Sequence, residues 1–293
     1  MEQLRKQSAE QQTVDAPLLP PADAAAIARM VQDRQEGGLR RTLHDVFMIA
    51  WRNLLLEMRS PAALIASTAF SISLFCVFAA SFSNVVFPGE SYSTYAQFLL
   101  PFTIVQGLLF NTVNISNYFY TDLANGMDTR LRSMPIARLS ALGGRVLSSA
   151  VRLLILVAGI VIAGYLLGFR FQGGLLSVIL FFITPIIFTL SVALLGFYIA
   201  VGAKSSEAVA AVINPWILPL TFLSIGYVPR DAFPNWALWF VDRNPVSVAS
   251  ETMRALANGE LAFHSLGTTL LWSAALSLVF GTLTVRAYQK RTQ

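Results

Sequence analysis

Six apolar runs of about twenty residues, at 62–83, 96–117, 143–167, 175–201, 208–227 and 265–285, constrain this chain more than any other feature. Each matches the hydrocarbon core of a bilayer, roughly 30 Å, which a helix crosses in about 20 residues. A lone apolar segment can satisfy its own backbone in lipid only as a helix. Composition agrees: 55% of the 293 residues are apolar and 13% are charged, against about 25% charged in a soluble domain. The expected fold is an all-α polytopic membrane protein with six transmembrane helices. Ser60-Pro61 suits the start of the first, as a cap followed by proline. Pro101, Pro185, Pro215 and Pro219 fall in or near later spans, where neighbouring helices re-satisfy the freed carbonyls.

The flanks divide the chain further. Residues 1–40 read as a polar cytoplasmic tail, with Ala16–Pro21 as a linker and no apolar run after a charged start, so no signal peptide is expected. Residues 41–60 repeat Leu43, Phe47, Ala50, Leu54 and Met58 at helical steps, with His44, Asp45, Arg52, Asn53 and Glu57 mostly between them. That predicts an amphipathic helix, and Trp51 and Arg52 suit it to the membrane surface. Residues 61–293 form the transmembrane domain. Eight Lys and Arg precede the first span and three lie in the 118–142 loop, whereas the 84–95 loop has none. This asymmetry places both termini in the cytoplasm. The 228–264 loop breaks the trend with Arg230, Arg243 and Arg254, and is itself apolar at Phe233, Trp236, Leu238, Trp239, Phe240 and Val241. Residues 246–258 within it read as a helix. Such a segment either re-enters the outer leaflet before the last span or caps the spans from outside.

Several chemistries lack their residues. None of the three lysines follows a glycine, so the phosphate loop of an ATPase is absent from the sequence. There is no HExxH or GxSxG, and one cysteine and two histidines build neither a zinc cluster nor a redox pair. The net charge of +5 is spread between apolar runs, which suits orientation in membrane lipid and not nucleic acid. Ionisable groups are scarce in the spans, which argues against an ion-coupled carrier. Arg145 and Arg152 are the exceptions. Seven residues apart, they share a helix face, with Arg152 about 10 Å deeper. Arg152 is either a structural arginine bonded to carbonyls or a contact for headgroups or an anionic cargo. Asn111, Asn114 and Asn117 line one side of the second span. That side makes either a hydrogen-bonded helix contact or the wall of a translocation route.

The 118–142 loop reads as a short amphipathic helix through Asp122, Gly126, Arg130, Leu131, Met134 and Pro135, ended near the proline. Thr121-Asp122, Gly126, Arg130 and Ser133-Met134-Pro135 resemble the corresponding loop of type-2 ABC exporter permeases of the daunorubicin-resistance class. A second block agrees: Leu223-Ser224-Ile225-Gly226-Tyr227-Val228-Pro229, Phe233-Pro234, Trp236, Asn244-Pro245-Val246-Ser247 and Met253-Arg254-Ala255-Leu256. Gly164-Tyr165 and Gly168-Phe169-Arg170-Phe171 are also typical, and the similarity covers roughly residues 41–290.

The resemblance implies a permease in the bacterial plasma (inner) membrane. It would pair with a second permease, identical or homologous, and with two copies of an ABC ATPase subunit that carries ATP and Mg. The chain itself would hold no cofactor and catalyse no reaction. Asp122, Gly126, Arg130, Leu131, Met134 and Pro135, with Trp51 and Arg52 of the interface helix, would couple to the ATPase. Asn111, Asn114, Arg152, Phe233, Trp236 and Trp239 are candidates for the substrate pathway. The cargo would be amphipathic, a complex lipid or a polyketide antibiotic. The competing functions are a non-transporting membrane scaffold and a secondary carrier for a hydrophobic compound.

Overall fold

Each apolar run folds as a helix, and what differs is how much of it the protein itself covers. A computed structural model describes residues 39–59, 61–126 and 140–290. In chain order the helices among them are α1 (Leu39–Arg59), α2 (Ala62–Val86), α3 (Tyr92–Ala124), α4 (Ser140–Leu166), α5 (Leu175–Gly202), α6 (Ser206–Phe222), α7 (Asn235–Arg243), α8 (Pro245–Ala257) and α9 (Phe263–Lys290). A single 3-10 turn, Arg230–Ala232, precedes α7. Pro61 stands at the start of α2, its carbonyl accepting from the Ile65 N–H at 2.9 Å. Ser60 lies outside the described residues.

Among the described residues five helices, α2, α3, α4, α5 and α9, are long and apolar enough to cross a membrane. The sixth candidate is shorter than the expected 208–227. Helix α6 has 17 residues, about 26 Å at 1.5 Å per residue. It stops at Phe222 because the Asn244 amide caps it from outside, donating to the Leu220 and Leu223 carbonyls at 2.7 and 2.8 Å. Residues 223–229 then turn back on the bundle. The second span is longer than expected, at 33 residues. It takes in Tyr118 to Ala124, so Asp122 sits on the last turn of α3 itself rather than on a separate loop helix. Gly126 ends it at φ +66°, a left-handed position that glycine adopts without a Cβ penalty.

Helix α3 is the axis of the molecule. It packs against α2, α4, α5, α6 and α8, and Leu99, Phe102, Ile104, Leu108 and Ile115 are buried on it. Helices α2 and α9 lie at the periphery with Ile65, Val77, Val85, Leu271 and Leu278 exposed, the composition of a lipid-facing surface. Small residues let the backbones approach: a Cβ at Gly144 of α4 would collide with Ile49 of α1. At the end opposite α1, the Gln97 amide donates to the Arg170 carbonyl at 2.9 Å and accepts from its N–H at 3.0 Å. There the Gln172 N–H also donates to the Ala257 carbonyl at 2.9 Å. Those bonds tie the connection between α4 and α5 to α3 and α8.

Candidate functional site

Helix α1 turns apolar side chains both toward α4 and away from the protein. The face against α4 carries Val46, Ile49, Ala50 and Asn53, with Asn53 only 4% exposed. Leu43, Phe47, Met48, Trp51, Leu55 and Met58 point away from the protein. Of the predicted apolar stripe, Ala50 is buried and Leu54 half-buried, while Leu43, Phe47 and Met58 are exposed. Asn53 and Glu57 are polar residues turned inward, beside the apolar Val46, Ile49 and Ala50. Trp51 is 52% exposed on the outer face. Arg52 is half-buried and donates to the Asn53 side chain at 3.1 Å.

Those inward polar residues meet a charged joint. Glu57 of α1 lies 3.6 Å from Arg152 and 3.8 Å from Arg145, both on α4. Arg145 also pairs with Asp122 and donates to the Tyr118 carbonyl at 3.2 Å. The Tyr118 ring lies under both guanidinium groups, 4.9 Å from Arg152 and 5.8 Å from Arg145. Two cations, two carboxylates and one aromatic face thus join α1, the end of α3 and the start of α4. Burial pushes the Glu57 carboxyl above its ordinary pKa, against the opposing pull of the two arginines. The joint is incompletely paired: Arg152 is 2% exposed, and its Nε and Nη2 groups have no hydrogen-bond partner. Beside it the Tyr120 hydroxyl donates to the Lys204 carbonyl at 2.8 Å, linking α3 to the junction of α5 and α6.

Along α3 toward the other end, a cleft of about 360 Å³ opens between α2 and α3. Ser67, Phe70 and Ser71 form one wall, and Phe110, Asn111 and Asn114 the other. Asn111 is 1% exposed, and neither atom of its amide has a partner. The asparagine row therefore does not zip two helices together at Asn111. Asn117 is half-buried one step further along, and its amide oxygen is likewise unpaired.

Past the cleft the segment between α6 and α9 is clasped into the core. Arg254 of α8 donates to the carbonyls of Phe98, Ile225 and Gly226 at 2.8–2.9 Å and lies 3.5 Å over the Phe98 ring. The Tyr95 hydroxyl donates to the Tyr227 carbonyl at 3.0 Å, and the Gln106 amide donates to the Tyr227 hydroxyl at 2.5 Å. A Cβ at Gly226 would overlap the Phe102 ring. Helix α8 is mostly buried, whereas α7 turns Ala237 and Val241 inward and leaves Trp236 79% and Trp239 68% exposed. Phe233 is half-buried.

The structure thus brings Asp122 together with Arg145, Arg152, Glu57 and Tyr118, and brings Asn111 together with Asn114. Arg152 belongs to the joint and not to the cleft. Phe233, Trp236 and Trp239 form a third group at the opposite end. Arg130, Leu131, Met134 and Pro135 lie outside the described residues. Sequence reasoning missed Glu57 and Tyr118. The available signal was two arginines one face apart on an apolar helix, which required a carboxylate from elsewhere. Among the described residues no group of three or more His, Cys, Asp or Glu could hold a metal ion.

Residues 44–258 match the family model described as ABC-2 type transporter. The chain is similar to the daunorubicin resistance ABC transporter permease protein DrrB1 of Streptomyces coeruleorubidus. They are 31% identical over 241 residues, which is 82% of this chain and 84% of that protein. It is 26% identical over 222 residues to the doxorubicin resistance ABC transporter permease protein DrrB of Mycobacterium tuberculosis, covering 73% and 77% of the two chains. It is also 30% identical over 154 residues to the "Probable doxorubicin resistance ABC transporter permease protein DrrC" of the same species, covering 53% and 55%.

Proposed function

This chain belongs to the ABC-2 type transporter family, and from that premise we propose that it is the permease subunit of an ATP-driven exporter of amphipathic molecules. ATP and Mg belong to a separate ATPase, present in two copies, and a second permease, identical or homologous, completes the membrane part. The chain performs no covalent chemistry. Both termini are cytoplasmic in the bacterial inner membrane, so the joint lies at the inner surface and α7 at the outer one. The described Lys and Arg lean this way: Arg52, Arg59, Arg145, Arg152, Lys204, Arg286 and Lys290 lie toward the α1 end, against Arg170, Arg230, Arg243 and Arg254 at the other. The cargo is a complex lipid or a polyketide antibiotic, and the relatives' names, which speak of daunorubicin and doxorubicin resistance, favour the latter.

The observation that carries the mechanism is that one helix bears both the joint and the cleft. Asp122 and Asn111 are eleven residues apart on α3, about 16 Å. A push from the ATPase on α1 or on the 118–135 region moves Glu57 or Asp122 against Arg145 and Arg152. A stiff α3 carries that movement to the cleft. Shifting an inward-to-outward ratio from 99:1 to 1:99 takes about 5.5 kcal/mol of differential binding, which the ATPase must deliver through this contact. Trp51 anchors α1 in the interface while Arg52 bonds to the Asn53 side chain. Trp236 and Trp239 shape the exit in the outer leaflet.

Purification from native membranes tests the reading. An ABC ATPase should copurify, and daunorubicin should stimulate ATP hydrolysis by the reconstituted complex. Recovery of the chain with no ATPase would favour a scaffold. Transport that persists without ATP would favour a secondary carrier.

A further inference from the structure

We propose that the outward stripe of α8 binds the headgroup of a zwitterionic phospholipid, its phosphate on Arg254 and its ammonium on Glu251, in the leaflet at the end opposite α1. The proposal needs a membrane around the chain and not the export of any cargo. Arg254 is the first reason. Its Nε and Nη2 groups donate to the Phe98, Ile225 and Gly226 carbonyls, and its Cζ lies 3.5 Å over the Phe98 ring. Nη1 has no partner among the described residues and, unlike the unpaired nitrogens of Arg152, keeps accessible surface. None of the ion pairs among the described residues includes Arg254. A guanidinium fixed in this way presents N–H groups and a full charge in one direction, the arrangement that suits the oxygens of a phosphate.

Glu251 is the second reason. It is exposed, three residues before Arg254, and makes no hydrogen bond or ion pair among the described residues. Residues at that spacing hold their Cβ atoms about 5–6 Å apart on one side of a helix. A carboxylate so near would repel a simple anion. A headgroup that carries an ammonium two methylene groups from its phosphate meets both charges. The stripe is the third reason. Val248, Glu251, Ala255 and Asn258 recur at three- and four-residue steps and are left uncovered, while the rest of α8 is mostly buried. The Asn258 side-chain oxygen accepts from Gln97 at 3.2 Å, which leaves its N–H groups to the phosphate. Trp236, Trp239, Leu261 and Phe263 are exposed at the same end. Tryptophan belongs at headgroup level, and this apolar surface suits acyl chains. A free ion would gain nothing from it.

The test uses the full-length chain in detergent micelles, offered equal amounts of dioleoyl phosphatidylethanolamine and dioleoyl phosphatidylglycerol, with dioleoylglycerol as the phosphate-free counterpart. Native mass spectrometry reads which lipid stays on the chain. The wild type should retain phosphatidylethanolamine about fivefold over phosphatidylglycerol, the upper worth of one exposed ion pair, and dioleoylglycerol least. Glu251→Gln should erase the preference at an unchanged melting temperature, since Glu251 has no partner to lose. Ala255→Trp covers the stripe between the two charges without altering either, and should lower retention of both phospholipids. Arg254 stays intact in these variants because it also holds the backbone of residues 225 and 226. Millimolar inorganic phosphate should not displace the lipid. A wild type with no preference overturns the proposal, as does a preference that survives Glu251→Gln. So does phospholipid retention unaltered by Ala255→Trp, or retention of dioleoylglycerol equal to theirs. Displacement by phosphate would leave a site for a free anion only, and overturns it too. The readout needs no ATPase, so its failure leaves the exporter reading standing.

Discussion

Arg152 on α4 and Glu57 on α1 lie 3.6 Å apart at the base of the bundle, with the arginine almost completely enclosed. This pair adds to the packing of Val46 and Ile49 on Gly143 and Gly144 in holding the inward face of α1. Breaking a buried pair leaves one charge uncompensated, at a cost of about 3–5 kcal/mol. Glu57→Leu should therefore lower the melting temperature strongly. The double variant Glu57→Leu with Arg152→Leu should recover most of that stability yet fail to couple. Thermal unfolding together with cargo-stimulated ATP hydrolysis checks both halves. A double variant whose loss equals the sum of the two single losses would show that the two residues act separately.

The clasp around Tyr227 makes a second prediction. Arg254 holds three carbonyls with one planar fork. Lysine, a point charge on a flexible stem, cannot reproduce that geometry. Arg254→Met removes the guanidinium bonds to all three carbonyls and should cost at least about 3 kcal/mol, since hydrogen bonds to charged groups contribute about 1.5–3 kcal/mol each. Arg254→Lys should fall between the two. Melting temperatures, with protease cleavage within residues 223–229, give the ranking. A methionine variant as stable as wild type would remove the clasp from the account.

Topology is directly measurable. In a Cys76→Ala background, cysteines at Glu90 and Glu260 should react with an impermeant thiol reagent added outside intact cells. A cysteine at Lys204, exposed at the α1 end, should react only after the inner face is opened. The reverse pattern would invert the orientation.

Trp239 separates an exit from a brace. At 68% exposure it contributes little packing within the chain, so Trp239→Ala should remain folded and assembled with its ATPase at normal basal hydrolysis. Export should fall severalfold. Normal export at normal protein level, or loss of the folded protein, would exclude a role in cargo release.

The sequence alone determined the membrane class, the approximate places of five spans, a helix over residues 41–59 and the family, because each rests on local runs or contiguous motifs. Apolar length measures the bilayer whatever surrounds it. Helical spacing also placed Asn111 with Asn114, and Arg145 with Arg152, on shared faces. Tertiary structure alone decided what those faces meet. Periodicity sorts the side chains of α1 into two faces, but only packing shows that Asn53 and Glu57 turn inward with Val46 and Ile49 while Phe47 and Trp51 turn out. The carboxylate that answers Arg152 comes from a helix far away in sequence, and only packing brings the two together. The end of α6 at Phe222 likewise depends on Asn244, which caps it across a turn. Asn111 is buried without a partner because neither its own helix nor α2 offers it one, a property of two neighbouring helices that neither sequence segment carries by itself.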